Sequence, residues 1–192
     1  MANNGISADK ILDSFPLKEI IKHSEKATFQ VILDAHNKLK AIAESILADI
    51  SGGYFGLLGL IIPPRTYETL MGSPFVKHTN PETHPIYPTD LLVETAAEIL
   101  RQHKVNQGEF HTMQNTDLAL TKKMISTFDS LYIIGTERIH IKFLWVPSID
   151  IIQHLYNNYG TLNQVDIDDN DKKMSKHYDP TLPIKILFGQ IE

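Results

Sequence analysis

The sequence predicts an all-α fold, a multi-helix bundle, and three observations carry that prediction. Apolar residues recur at spacings of three and four along several segments, which puts them on one side of a helix. Runs that alternate polar and apolar residues, the mark of half-buried strands, are almost missing. Short breaks carrying Gly and Pro separate the periodic segments, as they do between the helices of a bundle.

Taken in order, residues 1–25 are polar with few anchors and are interrupted by Phe15-Pro16, so a flexible N-terminal arm with one short helix is expected there. From Thr28 to Ile50 the stripe Phe29, Ile32, Leu33, His36, Leu39, Ala43, Ile46, Leu47 and Ile50 predicts a helix that Gly52-Gly53 stops. Gly56 to Ile62 is apolar and glycine-rich, and reads either as a short buried strand or as a compact hydrophobic turn. Pro64 suits the first position of a short helix through Leu70. Pro74, Pro81, Pro85 and Pro88 cannot share a helix or a central strand, so residues 72–88 are a loop.

Thr89 or Asp90 is the expected N-cap of the next helix, with Leu92, Ala96, Ile99, Leu100 and His103 as its apolar stripe. Gly108 weakens that helix, and the pattern resumes through Leu118, Leu120, Met124 and Ile125. Ser130–Trp145 is mixed, with a strand-like piece around Ile139–Phe143. Pro147-Ser148 opens a helix with Ile151, Ile152, Leu155, Tyr156 and Tyr159 on one side, and Gly160 ends it. Thr161 caps a further helix to about Met174, Asp179-Pro180 is a turn, and Pro183 starts a last helix. That helix reaches Glu192 with no C-cap, so the sequence reads as cut within an element. The expected division is an arm over 1–25, an N-terminal helical part over 26–128 and a C-terminal helical part over 129–192.

Composition narrows the function. With 42% apolar and 21% charged residues the chain has the balance of an ordinary globular protein, and its 192 residues suffice to bury a core. The apolar run Leu57–Ile62 is far short of the about 20 residues that span a bilayer, and Met1–Gly5 lacks the features of a secretory signal, so a cytoplasmic protein is expected. No cysteine is present, which removes disulfides, thiolate nucleophiles and every cysteine-containing zinc site. The net charge of −5 and the embedding of Lys172, Lys173 and Lys176 among Asp168, Asp169 and Asp171 argue against strong nucleic-acid binding.

No catalytic, cofactor or metal site emerges. The nine histidines include no pair at i, i+4, so no H-E-x-x-H-type site exists. Asp166–Asp171 begins like a calcium loop, but its sixth position holds Asp171 instead of Gly and its twelfth holds His177 instead of Glu. A nucleophile elbow and a phosphate loop are also missing. What is left is packing. Leu57–Ile62 and the side of a helix that carries Leu155, Tyr156 and Tyr159 are either core or self-association surface.

Several segments resemble, in order and spacing, the Gag-like proteins of copia-type LTR retrotransposons found in diatom and other algal genomes. They are Gly56-Leu57-Leu58-Gly59-Leu60, Pro74-Phe75-Val76, the helix with His103 and Phe110, Asn115-Thr116-Asp117, and Leu118–Lys123. His154–Gly160, Asn170–Met174, Tyr178-Asp179-Pro180, Pro183-Ile184, Leu187-Phe188 and Gln190-Ile191-Glu192 continue the series, so the resemblance spans roughly residues 28–192. It implies a helical capsid-like domain that self-associates into a particle shell, a homo-oligomer in the cytoplasm with no enzymatic activity, cofactor or small-molecule substrate. The zinc knuckle that binds RNA in such polyproteins is absent from this cysteine-free chain. The alternative is a domesticated or remnant helical protein-interaction module without assembly activity, which would remain monomeric.

Overall fold

The fold is seen in a computed structural model that describes residues 7–14, 27–48, 55–89, 93–143, 145–161, 167–168 and 171–172. Its helices are α1 (Ala8–Ser14), α2 (Phe29–Ser45), α3 (Pro64–Met71), α4 (Val93–Thr127), α5 (Ser130–Ile133) and α6 (Ser148–Tyr159), with 3-10 turns at Leu58–Leu60 and Ile134–Thr136. Strands are absent among the described residues, and the chain is all-α there. No helix among them is long and apolar enough to cross a membrane.

Local chemistry sets most boundaries. Thr28 caps α2, its hydroxyl accepting from the Val31 backbone N–H at 3.4 Å. Thr28→Ala is expected to lower stability by about 1 kcal/mol, read as a shift of the urea midpoint at constant slope. An unchanged midpoint would mean that this long contact contributes nothing. Pro64 occupies the first position of α3, where its missing N–H has no consequence, and Gly72 closes that helix in the left-handed conformation with φ of 70°. Gly160 donates its N–H to Tyr156 O at 3.0 Å and ends α6.

Other elements depart from expectation. α2 stops at Ser45, well before Gly52-Gly53, and Leu47 is left 84% exposed. The reason is tertiary: Leu57 donates its backbone N–H to Ala43 O at 2.9 Å, so the hydrophobic turn itself closes the end of α2. The choice between strand and turn at Gly56–Ile62 resolves as a buried turn, with Leu57, Leu58, Leu60, Ile61 and Ile62 all in the core. Gly108 does not interrupt α4, which is one continuous helix of 35 residues; a glycine costs only about 1 kcal/mol within a helix. The strand-like piece is instead a tight turn, closed by Arg138 N–H to Lys142 O at 2.9 Å and Lys142 N–H to Arg138 O at 2.8 Å. The residues expected to form a loose arm include α1, whose Ala8 and Ile11 are buried where it packs on α4. The expected helices after Thr161 lie almost wholly outside the described residues.

One core cluster takes residues from Ala8 to Leu155, on both sides of position 128. Its centre is built from Ile32 and Leu39 of α2, Ile61 of the turn, Leu120 and Met124 of α4, and Ile151 and Leu155 of α6, all essentially fully buried. α6 packs across both α2 and α4, and the turn packs on α2 and α3. Burial of side chains of this size supplies about 1.5–3 kcal/mol each.

Candidate functional site

Helix α4 is about 52 Å long at 1.5 Å per residue, longer than the core it serves. Gly108 is its first buried residue, and nothing from Val93 to Gln107 is buried. The expected apolar stripe of this half is therefore not core, contrary to the expectation from periodicity. Val93 is 86% exposed and Leu100 38%, while Ala96, Ile99 and His103 are half-buried. Leu92 lies outside the described residues. Periodicity shows that one face of a helix is apolar, but not what covers it.

The proline-rich loop returns along this half of α4. Gln107 Nε2 donates to Glu82 O at 3.5 Å, and Pro85 and Ile86 line a shallow groove with Ile99 and His103. Ile86 is nonetheless 83% exposed, and Val76 and Tyr87 of the same loop are exposed as well. On the solvent side of the helix, Arg101 makes two bonds to Glu98 at 2.6 and 2.8 Å. Those bonds hold the Glu98 carboxyl below its ordinary value and the Arg101 guanidinium above its own. Helix and loop together present a surface where apolar side chains alternate with charged and polar ones.

The residues singled out on α6 sit elsewhere. Leu155 is fully buried, and Tyr156 and Tyr159 are half-buried against the core. Tyr159 meets Tyr132 edge to face at 5.0 Å between ring centres. Tyr156 serves a buried polar pin. His36 on α2 reaches the Ile61 carbonyl with Nε2 at 2.9 Å and the Tyr156 hydroxyl with Nδ1 at 3.1 Å. A carbonyl only accepts, so Nε2 carries the proton and Nδ1 accepts from the tyrosine hydroxyl. Burial is the main cause that lowers His36 from 6.5 to about 4, while burial raises the Tyr156 hydroxyl. The imidazole is thus a neutral link joining α2, the turn and α6.

A second polar pin joins α4 to α6. Asp117 Oδ1 accepts from the Ser148 backbone N–H at 2.9 Å and from its hydroxyl at 2.6 Å. Pro147 has no side chain to cap α6, so Asp117 satisfies one of the open N–H groups from another helix. Burial raises the Asp117 carboxyl, against the lowering effect of the two Ser148 bonds and of Lys77. Sequence reading gave Asp117 no role. A helix opened by Pro147 signals that an acceptor must come from elsewhere, but not from where.

Asp117 also lines a cavity of about 270 Å³ beside the core-bearing half of α4. Phe110, Met113 and Leu118 form one wall, and Leu60, Trp145 and Val146 the other, with Lys77, His78 and Gln114 completing the lining. His78 Nε2 is buried with no hydrogen-bond partner, its nearest acid being Glu109 at 3.8 Å. Trp145 takes a φ of 62°, a left-handed conformation that is costly for a bulky side chain.

Among the described residues, no three His, Cys, Asp or Glu side chains gather closely enough to hold one metal ion. His23, His177 and, within the acidic run, Asp166, Asp169 and Asn170 lie outside those residues. Comparison with protein families, curated proteins and solved structures finds no match.

Proposed function

We propose that this chain works by self-association, as the helical capsid-forming part of a Gag-like polyprotein of a copia-type retrotransposon. The observation that carries the reading is the apolar stripe on the outer half of α4, where Val93 and Leu100 stay exposed and Ala96, Ile99 and His103 are only half-buried, together with the exposed Val76, Ile86 and Tyr87 of the proline-rich loop. Exposed apolar side chains on one helix and its adjoining loop suit an interaction site, and a second copy of the chain is the occupant proposed. A shell subunit needs no reacting groups. It needs rigid helices and patches that repeat under symmetry, each contact on the order of 1,000 Å² or less because many act together. The resemblance over residues 28–192 points the same way.

Sedimentation velocity over a wide concentration range tests this reading. Oligomers are expected to grow with concentration, and added salt is expected to strengthen them by screening the net charge of −5. Leu100→Glu should weaken association at least about tenfold yet shift unfolding stability by no more than about 0.5 kcal/mol, as at other surface positions. A wild-type monomer at every concentration would sink the shell role, and a Leu100→Glu variant that associates normally would remove this face from it.

A further inference from the structure

We propose that the cavity between Phe110, Asp117 and Trp145 binds a small zwitterion, a free α-amino acid with an apolar or aromatic side chain. The charges of its lining define that class. Asp117 and Lys77 line one cavity and act on each other electrostatically, yet they form no ion pair. Opposite charges held apart around a shared space suit a ligand that carries both, with its ammonium at Asp117 and its carboxylate at Lys77.

The remaining groups fit the same ligand. Asp117 uses Oδ1 for both Ser148 bonds, so the carboxylate is fixed in place while Oδ2 makes no bond among the described residues. His78 also lines the cavity, its Nε2 buried without a hydrogen-bond partner and 3.8 Å from Glu109. Phe110, Met113 and Trp145 supply an apolar wall for the side chain, and at about 270 Å³ the space falls just below that of pockets for drug-sized molecules. Trp145 is 57% exposed at the rim and is held there in a conformation that bulky residues rarely adopt, the kind of strain that gathers at binding sites. None of this depends on self-association.

Trp145 is the only tryptophan of the chain, so its emission reports on the cavity directly. L-phenylalanine, titrated into protein dilute enough to be monomeric, is expected to change that emission saturably, with a Kd on the order of 1 mM or tighter. Phenethylamine and 3-phenylpropionate, each lacking one of the two charges, should bind at least about tenfold more weakly, since one charge-assisted contact is lost. Lys77→Ala alters an exposed loop side chain and should lower affinity for L-phenylalanine about tenfold or more while leaving that for phenethylamine unchanged. Asp117→Asn, with folding checked by circular dichroism, should likewise lower affinity for L-phenylalanine about tenfold or more while leaving that for 3-phenylpropionate unchanged. Gln114→Phe should fill the space and abolish the signal. The proposal is overturned by the absence of a saturable change with L-phenylalanine, by equal binding of a single-charge analogue, or by binding that survives Gln114→Phe.

Discussion

Gly56→Ala is expected to destabilise the fold by about 3–5 kcal/mol, in the range reserved for core disruption. Gly56 has a φ of 49°, and an added Cβ would lie 2.5 Å from Glu44 O and 2.9 Å from Ala43 O, with Ile46 O closer still. Those atoms are backbone at the end of α2 and cannot rotate aside. Relief therefore requires moving the turn away from the helix, which breaks the Leu57 N–H bond to Ala43 O and loosens Leu57, Leu58 and Ile61 in the core. Gly72→Ala is the control. Its φ of 70° imposes a similar backbone cost, but the space around it is open, so a loss of only about 1–2 kcal/mol is expected. Urea unfolding of both variants separates the two causes. Equal midpoints would show that backbone conformation alone, and not the close approach of turn to helix, accounts for Gly56.

That contact also shows what was legible in the sequence. Boundaries written in local chemistry were readable: Pro64 at a first helical position and Gly160 as an end. Where the end of an element is decided by a distant part of the chain, the local signal misled. Gly52-Gly53 is the stronger stop motif, yet α2 ends earlier because the turn supplies a donor to Ala43. Gly108 misled in the other direction, since its cost is small beside the packing of Met113, Leu120 and Met124 further along the same helix.

Burial was harder to read than periodicity. The stripes on α2 and on the outer half of α4 have the same spacing, but only the first is covered by α6 and the turn. The cavity was not legible at all. It draws on α4, the proline-rich loop, the turn and the segment before α6, and no spacing links Lys77 to Asp117 or either to Trp145. Histidine gave a partial signal. His36 falls on the apolar stripe of α2, which implies burial, but its two partners lie 25 and 120 positions away.

His36 is the source of the second large effect, a loss of stability in mild acid. In the folded chain it titrates at about 4 against an ordinary value of 6.5. Between those values the unfolded chain takes up a proton that the folded chain refuses, so stability falls as pH drops from about 6.5 to about 4 and then levels off. At each pH unit in that window the change approaches 1.4 kcal/mol, and the whole amounts to about 3 kcal/mol, fully retained above pH 6.5. Lys40 adds a small contribution of the same sign, while the Ile61 carbonyl opposes it by favouring a protonated ring. Asp117 acts in the opposite direction: its carboxyl is raised on folding, so its protonation in acid favours the folded chain. The two are separated by His36→Asn, which cannot titrate and replaces the ring with a smaller amide. The variant should be less stable than wild type at neutral pH and show a flatter profile from pH 6.5 to 4, so that the two curves approach each other in acid. Parallel urea-midpoint profiles would assign the acid sensitivity to other groups and leave His36 as a packing residue. Protonation at Nδ1 ends its acceptance from the Tyr156 hydroxyl while Nε2–H keeps its bond to the Ile61 carbonyl, so the same protonation loosens the link between α2 and α6 and leaves that between α2 and the turn in place.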